Sequence, residues 1–174
     1  TKWGVTNGLI ASVYADQWAQ QGILFDVILV DAPYSGEGLF RKDPNAIVEW
    51  SMNNTLQCAH RQSNILNHIQ HCLKPGGFLI YSTCTFNPDE NMGQIIKLKE
   101  KGFESLQFEI DSQWGFLEIE QNDVFGYLGM PGITQGEGFF ISCLQKLPLK
   151  KSPTHVKNTT SPFTIDEGQH RFTF

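Results

Sequence analysis

The sequence predicts an α/β layered fold on a mostly parallel sheet, and more narrowly the second half of such a fold. Three observations carry this reading. Strand-like apolar runs alternate with segments of helical periodicity. The run Val27-Ile-Leu-Val30 is short, uninterrupted and stopped at Asp31, the pattern of a strand buried on both faces. No G-x-G-x-x-G-like loop follows any strand; Gly36 and Gly38 come after the central one without a helix start close behind.

Taken in order, Thr1 to Gly8 reads as the end of a helix and its exit turn, and Leu9 to Tyr14 as a short strand ending at Asp16. Asp16 to Gly22 is polar and loop-like apart from Trp18. Beyond the central strand and its loop, Asp43-Pro44 pairs an N-cap with proline at the first helical position, so a short helix runs to about Trp50. Ser51 caps a longer helix reaching about Leu73, with Leu56, Ala59, Leu66, Ile69 and Leu73 turned to the sheet. His60, His68 and His71 on that helix face solvent, and Cys58 and Cys72 pack. Lys74-Pro-Gly-Gly77 turns the chain into a strand, Phe78 to Tyr81, that ends at Ser82-Thr83-Cys84. Asn87-Pro-Asp-Glu90 begins a helix packed through Met92, Ile95 and Ile96 and ending near Gly102. Phe103 to Ile110 and Gly138 to Leu144 form two further strands, separated by a stretch, Asp111 to Gly136, of weak periodicity. Residues 1–146 are thus one unit, 147–162 a linker rich in Lys, Ser, Thr and Pro, and 163–174 the start of a further domain or a tail.

Bulk properties narrow the class. A chain of 174 residues supports one domain with a substantial core. A net charge of −5 argues against strong, non-specific nucleic-acid binding by the whole surface, while leaving room for a local basic patch. No apolar run has the length of a membrane span, and the N-terminus lacks a signal-peptide layout. Cys58, Cys72, Cys84 and Cys143 form no C-x-x-C pair and have no histidines at zinc-ligand spacing. These features predict a reduced, cytoplasmic protein without a metal site.

In parallel sheets, ligands bind beyond the carboxyl ends of the strands. If the strands at Val27–Val30 and Phe78–Ser82 are neighbours joined by the long helix, Asp31 and Cys84 share one crevice, since paired strands lie about 4.8 Å apart. Taken alone, Asp31 equally suits a turn-capping carboxylate, and Cys84 a buried, inert thiol.

The wording of the two loops decides between these. Asp31-Ala-Pro-Tyr-Ser-Gly-Glu-Gly with Arg41-Lys42-Asp43, then Ser82-Thr-Cys-Thr and Glu90-Asn91, resemble the S-adenosylmethionine-dependent RNA cytosine-C5 methyltransferases, nearest the bacterial 16S rRNA branch. The resemblance runs from Thr1 to about Lys146, and Gly136-Glu-Gly-Phe-Phe-Ile141 looks like the family's late strand motif. It implies a Rossmann-like class I methyltransferase sheet, of which this chain holds the second half. It implies S-adenosylmethionine as cofactor and RNA as partner, rRNA or the small ribosomal subunit, with tRNA as the alternative. Cys84 matches the nucleophile, whose thiolate adds to cytosine C6 and makes C5 reactive. Asp31 matches the aspartate near cofactor and target base; Pro33 follows it in the cofactor-facing loop, and Asp16 matches the acidic residue that approaches the adenosine. Arg41 and Lys42 are placed to meet RNA phosphate.

Tyr34 departs from the family, which usually carries there a second cysteine associated with resolving the covalent adduct. The departure predicts an adduct at Cys84 that forms and releases slowly. It also makes Asp31-Ala-Pro-Tyr34 similar to the Asp-Pro-Pro-Tyr loop of amino-directed nucleic-acid methyltransferases, where the ring stacks on an extruded base. A third alternative is a non-catalytic RNA-binding remnant, because the family's Gly-rich cofactor loop is not among these residues. On that ground the sequence predicts a fragment that does not bind S-adenosylmethionine by itself.

Overall fold

Two strands form the axis of the structure. β1 (Phe25–Asp31) and β2 (Leu73–Thr83) pair in parallel, with Val27 opposite Phe78 through to Asp31 opposite Ser82. The structure, a computed structural model, describes residues 6–8 and 10–148. The expected linker and tail lie almost wholly outside the described residues, as do most of the expected N-terminal helix end and exit turn.

The connection between these strands is helical, as the caps predict. Asp43 accepts from the Asn45 amide and opens α2 (Pro44–Glu49); the Ser51 hydroxyl accepts from Asn54 N and opens α3 (Met52–Ile69). The buried stripe of α3 differs from expectation. Thr55, Ala59, Gln62 and Leu66 are buried, whereas Leu56 is exposed, and Leu73 belongs to β2. The reason is what α3 meets: Asn54 and Gln62 donate to the Ser35 and Pro33 carbonyls of the loop after β1, a polar neighbour that needs hydrogen-bonding side chains rather than a leucine. Before settling into β2 proper, the chain spends Leu73 to Phe78 opposite only Phe25 to Val27. Gly76 adopts φ of +80° in this excursion, and a Cβ on Gly77 would stand 2.8 Å from the Asp26 carbonyl oxygen.

Beyond β2 the sheet is not parallel. α4 (Met92–Lys99) leads to β3 (Phe103–Ser105), followed by β4 (Phe116–Glu120), β5 (Phe125–Gly129) and β6 (Phe139–Lys146). β6 lies antiparallel beside β2 and pairs along its other side with both β3 and β5, and β4 closes that edge against β5. Among the described strands only β1 and β2 pair in parallel, which corrects the mostly parallel sheet for this part of the fold. The hairpin of β4 and β5 occupies the stretch without clear periodicity. Its two-residue turn places Asn122 and Asp123 at φ of 56° and 52°, a left-handed pair suited to the twist of hairpin strands.

One face of the sheet is well covered. Leu79 and Tyr81 of β2, Phe140 and Leu144 of β6, and Ile95 and Leu98 of α4 form a continuous core with Leu66 of α3. The other face is open at β1: Val27 is 53% and Leu29 64% exposed. This corrects the strand buried on both faces. β1 is an edge strand, without a hydrogen-bonded neighbour on its outer side among the described residues. Ile10 to Tyr14 form no strand, which corrects the short strand expected there. Ala15–Gln20 instead make a short helix, α1, with Trp18 set edge-on to Phe25 at 6.1 Å, where the sequence predicts a polar loop. His60 and His71 are exposed and His68 half-buried. No described helix is long and apolar enough to cross a membrane.

These two faces have different energetic weight. Leu79→Ala should cost about 2–5 kcal/mol by emptying a closed core site, and Leu29→Ala within about 0.5 kcal/mol. Urea unfolding of the two variants checks this; equal losses would contradict the open face.

Candidate active site

The site grows out of the β1–β2 register. Strand alternation turns Asp31 and Ser82 to the same face, and the Ser82 hydroxyl donates to the Asp31 carboxylate at 3.3 Å. Ala32 N–H donates to the Ser82 carbonyl at 2.9 Å, carrying the ladder one residue past the strand. The two chains then part into the loops Pro33–Gly38 and Cys84–Asn91. Thus the predicted neighbours are neighbours, and Asp31, Tyr34 and Cys84 meet at one strand edge.

Buried polar groups fix both loops. Gln62 of α3 donates to the Pro33 carbonyl at 2.8 Å and to Glu90 at 2.9 Å. Glu90, fully buried, also accepts the Ser35 amide at 3.0 Å, and its own carbonyl accepts the Tyr81 hydroxyl at 2.7 Å. Thr83 donates to Asn91 Oδ1 at 2.6 Å, while Asn91 Nδ2 donates to the Thr85 carbonyl at 2.9 Å. Gly36, at φ of +100°, bends the first loop into a 3-10 turn, Glu37–Leu39. The two loops then press together: a Cβ on Gly38 would stand 2.0 Å from the Cys84 carbonyl oxygen, so only glycine fits.

Burial and the Asp31 charge set the ionisation of the site's thiol and phenol. Burial pushes the Cys84 thiol up from its ordinary range; the Asp31 carboxylate adds to the rise and Lys42 opposes it. Burial likewise raises the Tyr34 phenol, followed by the charges of Cys84 and Asp31. Tyr34 is therefore a neutral phenol at neutral pH, and Cys84 a thiol that needs help to ionise. Burial raises Glu90 most, against the pull of groups from Ser35 and Gln62, and the Glu37 charge adds to it.

The other expected residues fall differently. Arg41 donates to the Gly136 carbonyl at 3.1 Å, and Arg41 and Lys42 approach Glu137 at 3.9 and 3.8 Å. Both remain more than half exposed, so they form a basic pair at the rim, partly balanced by one acid. Asp16 does not end a strand. It lies half-buried in the first turn of α1, and no hydrogen bond or ion pair joins it to Asp31, Tyr34 or Cys84 among the described residues. All four cysteines are free thiols, and no described cluster of His, Cys, Asp or Glu has the makings of a metal site. Sequence reasoning misses Glu37 and Gln62. A signal exists for the first: Gly-Glu-Gly occurs at 36–38 and again at 136–138, and a Cβ on Gly38 or Gly138 would stand 2.0 or 3.9 Å from the Cys84 carbonyl oxygen.

This chain belongs to the family described as 16S rRNA methyltransferase RsmB/F, whose pattern matches residues 2–145. Among similar proteins, Ribosomal RNA small subunit methyltransferase F of Salmonella arizonae is 39% identical over 146 residues, covering 76% of this chain and 28% of the relative. The protein of that name from Salmonella agona is 38% identical over 160 residues, 84% of this chain and 31% of its own length. The chain therefore spans less than a third of the curated relatives it matches. Among solved structures, NSun6 from Pyrococcus horikoshii with SFG, an analogue of S-adenosylmethionine, superposes with a TM-score of 0.70 at 27% identity, over 83% of this chain and 36% of that one. A methyltransferase homolog protein from the same organism gives 0.67 at 27% identity, over 83% of this chain and 46% of its own. The Rossmann-like methyltransferase fold is thus confirmed.

The Asp31 charge should be legible in the thiol. Asp31→Asn removes an anion beside Cys84, so the thiol's midpoint falls and its alkylation near neutral pH rises about three- to tenfold. Site-resolved iodoacetamide labelling against pH measures this, and an unmoved midpoint would separate the two residues.

Proposed function

We propose that the protein is an S-adenosylmethionine-dependent RNA cytosine-C5 methyltransferase acting on rRNA of the small ribosomal subunit, with Cys84 as nucleophile. One observation carries the reading: Asp31 and Cys84 stand at the adjacent ends of a parallel strand pair with Tyr34 in the loop between them, the Asp31 charge raises the thiol, and both raise the Tyr34 phenol. Membership of the rRNA methyltransferase family supports it. Residues 1–146 are then the later half of the catalytic domain, 147–162 a linker, and 163–174 the start of a further domain or a tail.

The residues fit part of a cofactor site. Asp31 is exposed at the strand edge with Pro33 beside it, and Asp16 is half-buried on α1, which packs against α3. In this reading Asp16 holds the adenosine, while Asp31 and Pro33 border the reacting end. S-adenosylmethionine, when bound, supplies an electrophilic methyl group.

The chain's own work is done on the base. The Cys84 thiolate forms a bond to cytosine C6, which makes C5 enamine-like and able to take the methyl group. The C5 proton then leaves to a base, the C6–S bond breaks, and the thiolate is restored. Asp31 accepts a hydrogen bond from the cytosine amino group and so favours cytosine. Because the free thiol is held protonated, base binding must favour ionisation, and Lys42 is the cation acting in that direction. Arg41 and Lys42 exchange Glu137 for RNA phosphate as the strand arrives. Tyr34 slows release: its phenol is held neutral, so it is a poor acceptor for the C5 proton.

In the full-length protein, Cys84→Ala should abolish formation of 5-methylcytosine in rRNA, read by nucleoside mass spectrometry. An N-methylated base in its place would favour the amino-directed reading, and undiminished activity would refute the nucleophile. Intact-protein mass should show a persistent RNA adduct that Tyr34→Cys reduces, with turnover rising about tenfold. Ready turnover with no adduct in the unaltered protein would refute the slow-release step.

A further inference from the structure

The turn Gly36–Phe40 meets the segment Cys84–Phe86 at each of that segment's three residues. Gly38 lies directly against the Cys84 carbonyl. Glu37, only 5% exposed, accepts the Thr85 hydroxyl at 2.6 Å. Phe40 meets Phe86 edge-on at 6.4 Å. The turn itself is held from the opposite direction, where Glu90 of the second loop accepts the Ser35 amide of the first. Each loop therefore sends one carboxylate to the residue that comes after the other loop's reactive side chain: Thr85 after Cys84, and Ser35 after Tyr34.

We infer that Glu37 is a positioning residue for the Cys84 thiol, acting through the Thr85 hydroxyl. The inference deepens the proposed function and takes from it that Cys84 is the reacting thiol. A buried carboxylate is a costly way to hold two loops together, because no cation pairs with Glu37 among the described residues. What a charge-assisted hydroxyl bond adds over an apolar contact is direction and a fixed short length. Glu37 is not among the charges that act on the thiol, which are Asp31 and Lys42. Its influence on Cys84 thus runs through position. Without the Glu37–Thr85 bond, residues 84–86 relax outward, the thiol loses burial, and its ionisation moves back toward the ordinary range.

The test needs neither RNA nor cofactor. Alkylation of the unaltered chain by iodoacetamide is followed at Cys84 by peptide mass spectrometry over about pH 6 to 10, with buried Cys72 as internal reference. Glu37→Ala and Thr85→Val should each lower the Cys84 midpoint and raise its neutral-pH rate about fivefold. The double variant should go little further than either, since both remove the Glu37–Thr85 bond; beyond it each loses one contact with Asn87, whose side chain donates to Glu37 at 3.4 Å and whose amide donates to the Thr85 hydroxyl at 3.2 Å. Glu37→Gln should stay near the unaltered profile, because its amide oxygen still accepts from Thr85. An unmoved Cys84 profile in Glu37→Ala overturns the inference, as does a Glu37→Gln profile as disturbed as that of Glu37→Ala. Cys72 rising in step with Cys84 does the same, marking general loosening. Should Glu37→Ala fail to fold, Thr85→Val and Glu37→Gln decide. A full-length protein that fails to methylate leaves this result standing, and an unmoved thiol profile overturns the inference whatever the methylation assay gives.

Discussion

The register of β1 against β2 is the constraint on which the site depends. Slipping a parallel pair by one residue would turn every side chain to the other face. Here that would take Asp31 away from Ser82 and send the two loops out at different heights. The register is protected on one side by the alternation that buries Val30 and Tyr81 together. At the amino end it is protected by Gly77, where any side chain would collide with the Asp26 carbonyl. Chemistry at the carboxyl edge is thus secured by packing at the other end of the strands.

Much of this is readable from the residues. The caps at Asp43 and Ser51, the strand ends at Asp31 and Ser82, and the meeting of Asp31 with Cys84 come from local rules of apolar runs and N-cap chemistry. What escapes has a common physical cause. β4 is half-exposed at an edge, so its alternation is weak, and only Asn122-Asp123 announces the hairpin. The antiparallel arrival of β6 is decided by long-range pairing that no window of sequence contains. Apolarity alone sends Leu56 to the interior, yet Gln62 is buried because it meets the Pro33 carbonyl and Glu90, and Thr55 because its hydroxyl returns to the Ser51 carbonyl of its own helix. The apolar run before Asp16 reads as a strand, yet Asp16 lies in the first turn of α1 and Ile10 to Tyr14 join no ladder.

The site is framed by polar groups that few domains would tolerate so deep. Glu37, Glu90, Gln62, Thr83, Thr85 and Asn91 are all buried, and each has at least one hydrogen-bonding partner in or across the two loops. Apolar packing at the same place would hold the loops as firmly while allowing them to slide. Hydrogen bonds fix angle as well as distance, which is what a thiol approaching one carbon of a planar base requires.

Glu90 carries a consequence for the conditions in which the protein lives. Its carboxyl binds a proton more tightly in the folded chain than in the unfolded one. The resulting stability is therefore full below the unfolded carboxyl's pKa and drains away as pH rises through the folded value. The thiol pulls the other way, since Cys84 gains its reactive form only as the medium turns alkaline. Acid favours the scaffold and alkali favours the nucleophile, so the working range is bounded by two groups that belong to the same loop.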